Sequence, residues 1–156
     1  GDWSSDVCSS DLAVRTLFVE YAESLEFSLC FQGFDEELAA LPGKYAAPAG
    51  RIWVAEAADG ALAGCVAVRP IGDKDAEMKR LYVRPDFRGR ALCKQLAEAT
   101  VAFARHSGYT ALRLDTIAAS MAAADGIYRA MGFVETPPYY DNPVPGATFY
   151  ALDLKA

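Results

Sequence analysis

Six of the fifteen Lys and Arg residues lie between Lys79 and Lys94, and four of them surround one glycine turn. The stretch Glu77 to Cys93 reads E-M-K-R-L-Y-V-R-P-D-F-R-G-R-A-L-C. Arg88, Gly89 and Arg90 form a short basic turn, and Lys94 follows one helical turn later. The chemistry this suits is the holding of a phosphate. The first backbone N–H groups of a helix have no internal partner, and the helix dipole adds partial positive charge there. Gly89 allows close approach of backbone to an anion, and Arg88, Arg90 and Lys94 add full charges. No G-K-[ST] follows the turn, which argues against a P-loop nucleotide hydrolase.

A strand and a helix must position that turn. Leu81, Tyr82 and Val83 are β-forming types, and Arg84-Pro85-Asp86 ends the strand because proline cannot donate to a ladder. Beyond the turn, Leu92, Leu96, Ala97, Phe103 and Ala104 share one helical face, and Ser107-Gly108 closes the helix. Upstream, Val14, Leu17, Phe18, Tyr21 and Leu25 recur at helical spacing, with Glu20, Glu23 and Glu26 on other faces. A second helix fits Asp35 to Leu41, stopped by Pro42-Gly43. A strand Arg51 to Ala57 and a strand Ala61 to Val68 flank a hairpin turn at Ala58-Asp59-Gly60, and the small apolar second strand reads as central. Downstream come a strand Ala111 to Asp115, a helix from a Ser120 cap to Met131, a strand from Phe133 to Glu135 and a strand Ala147 to Leu154. This order predicts one α/β (mixed α+β) domain whose mixed sheet is covered on both faces.

Composition sets limits. An apolar content of 53% supports a sizeable core, and no apolar run approaches a membrane span. A net charge of −6 argues against general nucleic-acid binding. The charge is uneven. From Ala13 to Pro42, six acids stand against Arg15 alone, so one face is expected to favour anions and another cations. Cys30, Cys65 and Cys93 have no metal-type spacing and read as reduced thiols of a cytoplasmic protein.

The opening is a separate matter. Asp2 to Leu12, D-W-S-S-D-V-C-S-S-D-L, resembles one translated frame of a common short-read sequencing adapter. Residues 1–12 are therefore expected to be a non-native segment and 13–156 the domain proper, with the true N-terminus lost.

Three signals together resemble the GNAT superfamily of acyl-CoA-dependent N-acyltransferases: L-Y-V-R-P-D-F-R-G-R-A-L-C before a long helix, L-R-L-D-T at the next strand, and Ala124, Tyr128, Gly132 and Phe133 in A-x-x-x-Y-x-x-x-G-F. The resemblance covers about Ala13 to Leu154. It implies a three-layer αβα sandwich around a mixed, mostly antiparallel sheet of about six strands. The family's first strand would be missing, and because Asp2, Ser4, Ser5 and Asp6 make a poor strand, the Arg51–Ala57 edge is expected to be unpaired or badly paired. Two positions depart from the family's phosphate loop. Ala91 stands where glycine is usual, a change accommodated if its backbone is helical, and Cys93 stands where glycine or alanine is usual. Met121 occupies a position at which many members carry asparagine.

The resemblance also implies a site. The strand ending at Val83 would splay from the strand at Leu112–Asp115, with the pantetheine arm of acetyl-CoA along Leu81, Tyr82 and Val83. The pyrophosphate would sit on Arg88, Gly89, Arg90, Ala91, Leu92, Cys93 and Lys94. Tyr128 resembles the family's general acid. Glu77 is the candidate base, directly or through water, with Asp115 as a second candidate, and backbone N–H near Val83 is the expected oxyanion donor. His106, in the last turn of the long helix, has an electrostatic role there, and Cys93 has no neighbouring histidine to make it a nucleophile. The loop Tyr139-Tyr140-Asp141-Asn142-Pro143 and the first two helices would border a pocket for a small-molecule or peptide amine acceptor. No nucleic acid, membrane or metal enters this reading, and a homodimer is compatible with it. The alternative is an acyl-CoA-binding module with little or no catalysis, a sensor or partner subunit.

Overall fold

The structure is a computed structural model that describes residues 4–6, 11–25, 33–89, 91–117 and 122–155. Period-two alternation divides the apolar residues of the strands between two cores. Trp53, Ala55, Val66, Ala76, Met78 and Leu81 pack with one set of helical residues, and Ile52, Val54, Cys65, Ala67 and Tyr82 pack with another. The strands are β1 (Ser4–Asp6), β2 (Arg51–Glu56), β3 (Leu62–Ile71), β4 (Asp75–Val83), β5 (Ala111–Ile117), β6 (Val134–Thr136) and β7 (Ala147–Asp153). They form one sheet in the order β1-β2-β3-β4-β5-β7-β6. Helices α1 (Asp11–Ser24) and α2 (Phe34–Ala39) cover one face, and α3 (Leu92–His106) and α4 (Ala122–Ala130) cover the other. This is the expected three-layer sandwich.

Every pairing is antiparallel except β4 with β5, which α3 joins as a parallel crossover. The central reading of β3 holds: Ala63, Cys65, Val66, Ala67 and Val68 are fully buried. Gly64 is required in that strand. A Cβ there would sit 2.5 Å from the Tyr82 carbonyl oxygen, so only glycine lets β3 approach the end of β4 this closely.

The edge of β2 is only partly paired, the second of the two expected alternatives. Ser4, Ser5 and Asp6 pair with Glu56, Ala55 and Val54, so this half of the edge is paired, whereas among the described residues Arg51–Trp53 have no partner on that side. Backbone N–H and C=O groups pair whatever side chains they carry, which is why a stretch of poor β-formers can supply a short ladder.

β4 carries the one irregularity that matters for the site. Cys65 pairs with Tyr82 and Ala67 with Lys79, so Val66 alone opposes both Arg80 and Leu81. Arg80 takes up the extra residue in a left-handed conformation, φ 63°. Such a bulge sharpens the local twist of its strand. Arg80 is held there by Glu37 of α2, through Nε to Oε2 and Nη2 to Oε1, both 2.9 Å. The guanidinium is buried, so the bidentate partner that satisfies its charge also fixes the bulge.

Candidate functional site

The parallel ladder between β4 and β5 is short. Asp75 pairs with Ala111, Ala76 with Leu112 and Glu77 with Arg113. Past that rung, β4 runs on to Val83 and β5 to Ile117 without pairing to each other. The strands splay, as the resemblance implies, and the bulge at Arg80 lies on the diverging part of β4. The facing edges of Met78–Val83 and Leu114–Ile117 therefore offer backbone donors and acceptors to a third, extended partner.

One end of the gap leads to the basic turn. A 3-10 turn over Pro85–Phe87 follows β4. Arg88 is exposed and donates Nε to the Val83 carbonyl at 3.0 Å, which leaves both terminal guanidinium nitrogens without a partner among the described residues. Lys94 is exposed and has no ion pair with a described residue, and the first turn of α3 has no acidic residue. The positive charge at this helix start is unneutralised by the described residues. Gly89 has φ 80°. Ala91, the N-cap of α3, has φ 61° and ψ 11°, so the condition for accommodating alanine without strain, a helical backbone, is not met. The turn needs a left-handed residue at this point, and alanine pays about 1–2 kcal/mol for it. Leu92 is buried in the core, and Cys93 is half-buried, its thiol pushed up by burial. Arg90 lies outside the described residues, as do Cys30, Ser120 and Met121.

Tyr128 lies on the α3 and α4 side of the sheet, among Leu92, Leu96, Phe133 and Tyr150. It is 3% exposed, with ring centroids 5.7 Å from Phe133 and 6.2 Å from Tyr150. Its hydroxyl makes no hydrogen bond to the described residues, and burial pushes the phenol well above its ordinary value. It therefore keeps its proton at neutral pH. On the same side of β5, beyond the last rung, the Thr116 hydroxyl is buried and has no hydrogen-bond partner among the described residues.

Glu77 is on the opposite face. It alternates with Ala76 and Met78, which belong to the Tyr128 core, and so points toward α1 and α2. It is 1% exposed, which excludes a solvated strand-end charge. Arg69 Nε donates to its Oε1 at 2.9 Å and the Tyr139 hydroxyl to its Oε2 at 2.6 Å. Lys79, two residues on, lies 3.8 Å from Oε2 and is also buried. Asp115 shares this face. Its Oδ2 accepts from the Tyr140 hydroxyl and from Asn142 Nδ2, the latter at 2.8 Å. The tyrosine loop thus closes over both candidate bases, with Tyr139 and Tyr140 each packed edge-on against Phe149.

The acidic helices look different in three dimensions. Glu37 is spent on Arg80, and Glu20 pairs with Arg84, whose guanidinium lies 2.9 and 2.5 Å from its two oxygens. These acids hold β4 rather than offer a free negative surface. Sequence reasoning missed Lys79 and Arg69 as site residues. The alternation E-M-K was the available signal for Lys79, whereas nothing local links Glu77 to Tyr139, 62 residues away.

Residues 14–133 match the acetyltransferase (GNAT) family. The chain is 38% identical over 141 residues to an uncharacterized N-acetyltransferase of Schizosaccharomyces pombe, covering 90% of this chain and 86% of that protein. It is 31% identical to an uncharacterized N-acetyltransferase of Dictyostelium discoideum, covering 91% and 94%. In fold it is similar to an acetyltransferase of Salmonella typhimurium solved with its cofactor acetyl-CoA, with a TM-score of 0.73 at 17% identity, covering 99% of this chain and 95% of that one. The chain belongs to the GNAT acetyltransferase family.

Proposed function

From that membership, we propose that residues 13–156 form the catalytic unit of an N-acetyltransferase that moves an acetyl group from acetyl-CoA to a primary amine by direct attack in a ternary complex. Among the described residues, 1–12 contribute the short β1 ladder and the first two residues of α1. The observation that carries it is the β4–β5 gap, which opens at Glu77 and connects a face holding Tyr128 with a face holding Glu77 and Asp115.

The residues present suit acetyl-CoA. The unpaired edge of Leu81, Tyr82 and Val83 suits the pantetheine amides, and the buried Thr116 hydroxyl lacks a partner that such a group supplies. Arg88, Gly89, Arg90, Ala91, Leu92, Cys93 and Lys94 hold the pyrophosphate, with the charges of Arg88, Arg90 and Lys94 and the amides of the turn. Bound there, acetyl-CoA supplies an activated acyl group as its thioester.

The chain's residues then do three things. Glu77, directly or through one water, takes the proton that the attacking amine must lose. Backbone N–H near Val83 stabilises charge on the carbonyl oxygen. As the C–N bond forms and the C–S bond breaks, Tyr128 gives its proton to the departing thiolate. Tyr139, Tyr140 and Asn142 exclude water around the two carboxylates. Initial rates with acetyl-CoA and a panel of primary amines test this reading. Direct attack requires intersecting double-reciprocal lines; parallel lines would indicate an acyl-enzyme and overturn it.

A further inference from the structure

Among the described residues, the Lys79 ammonium makes no hydrogen bond. Its side chain is 4% exposed, and its ion pair with Glu77 is a loose one. The nearest carboxylate oxygen, Glu77 Oε2, lies 3.8 Å away and already accepts from Tyr139 at 2.6 Å. The other cations here are satisfied. Arg69 is bonded to Glu77, Arg80 to Glu37 and Arg113 to Asp75, each at 2.9 Å. Held only by this 3.8 Å ion pair, the ammonium keeps its donors available to a further anion.

A complementary anion also stands open. Asp115 forms no ion pair with any described residue, and its Oδ2 takes both the Tyr140 and Asn142 hydrogen bonds, which leaves Oδ1 without a partner. Tyr140 connects the two groups. Its hydroxyl binds Asp115, and the Lys79 ammonium lies over its ring, 5.8 Å from the centroid. A cation without a direct hydrogen bond and a carboxylate without an ion pair among the described residues therefore flank a single aromatic ring, on the acceptor face, where β4 and β5 part. A ligand with an ammonium and a carboxylate close together matches both. A polyamine matches only Asp115 of the two.

We propose that the acceptor is a free α-amino acid, or an equally compact amine bearing a carboxylate. Lys79 holds its carboxylate and Asp115 Oδ1 steers its amine toward Glu77. This deepens the proposed function and rests on its assignment of the acceptor face. Losing one charged hydrogen-bond partner is worth tenfold or more in affinity.

The test is calorimetric titration of the full chain, saturated with CoA, with the twenty standard L-amino acids, the primary α-amides of those that bind, and the matching decarboxylated amines. The expected result is that at least one free acid binds saturably, about tenfold or more tighter than its amide, and that Lys79→Met brings this ratio close to one. An amide or decarboxylated amine that binds as tightly as the acid, an unchanged ratio in Lys79→Met, or no binding by any free acid would each overturn the inference. Turnover separates it from the reading beneath it. Decarboxylated amines acetylated in preference to acids would sink the carboxylate site but keep the transferase. Acids that bind with the expected ratio yet are never acetylated would do the reverse. The wild-type comparison of acid with amide stands even if Lys79→Met fails to fold.

Discussion

Glu77 and Arg113 face each other across the last rung of the parallel ladder between β4 and β5. Before that rung the sheet is closed; after it, β4 bends through the Arg80 bulge and the strands separate. A carboxylate at the mouth of the gap on one face and a neutral phenol on the other place a proton acceptor and a proton donor on opposite sides of one opening. In acyl transfer the amine adds to the carbonyl carbon and the thiolate leaves from the tetrahedral intermediate, so the two proton transfers occur at different atoms and can be served by different groups.

Tyr128→Phe should lower kcat about 10²-fold or more, the usual contribution of a positioned acid. The ring contacts with Phe133 and Tyr150 survive the change, so folding and acetyl-CoA affinity should shift little. Steady-state kinetics beside calorimetry separates the two effects. A kcat within threefold of wild type would remove Tyr128 from the mechanism.

Thr116→Val should act in opposite directions with and without ligand. The unpaired buried hydroxyl carries a desolvation cost of about 1–3 kcal/mol, so its removal should stabilise the free protein. If the hydroxyl bonds pantetheine, the same change should weaken acetyl-CoA binding several-fold. Urea unfolding and calorimetry read the two signs, and a variant that binds acetyl-CoA as well as wild type would exclude Thr116 from the gap's ligand contacts.

Ala91→Gly should raise stability by about 0.5–1 kcal/mol. Relief of the left-handed strain is worth about 1–2 kcal/mol. The extra freedom of glycine in the unfolded chain takes back about 0.4–1. The urea midpoint should rise without a change of slope; a fall would mean that the strain at φ 61° is not being relieved.

Alkaline pH should destabilise the fold. Burial raises the Cys65 thiol and the Tyr45, Tyr128 and Tyr139 phenols, with Glu77 adding to the effect at Tyr139. Groups raised in the folded state contribute fully below their unfolded values, about 8.5 for Cys and 10 for Tyr, and lose that contribution as pH climbs toward the folded values. Lys79, lowered first by burial, works the other way below about 10.4, but as one group against four. Urea midpoints should therefore hold from pH 7 to 8 and fall between pH 9 and 11. A flat profile to pH 11 would contradict this.

Local chemistry made much of the fold legible. The Asp59-Gly60 turn, the apolar run of β3 and the spacing of Leu92, Leu96 and Ala97 each report a short-range constraint, and each appears where the residue types place it. The site was legible only in part. The tyrosine and the basic turn are sequence features, but the burial of Glu77 depends on Arg69 and on Tyr139 from a distant loop. The conformation of Ala91 was left open by the sequence, because residue type sets only a preference for φ and the turn's geometry overrode it. The pairing of Glu20 and Glu37 within the acidic run was not legible because their partners, Arg84 and Arg80, lie far along the chain, at the end of β4 and within it.

The most direct measurement is titration of the purified chain with acetyl-CoA, repeated with Arg88→Ala and Arg90→Ala combined, with a circular dichroism melt of each sample. The account predicts saturable one-to-one binding by the wild-type chain, about tenfold or more weaker in the double variant at an unchanged melting temperature. A folded wild-type chain that does not bind acetyl-CoA, or a folded double variant that binds it equally well, would contradict the assignment of the gap and its basic turn as the acetyl-CoA site.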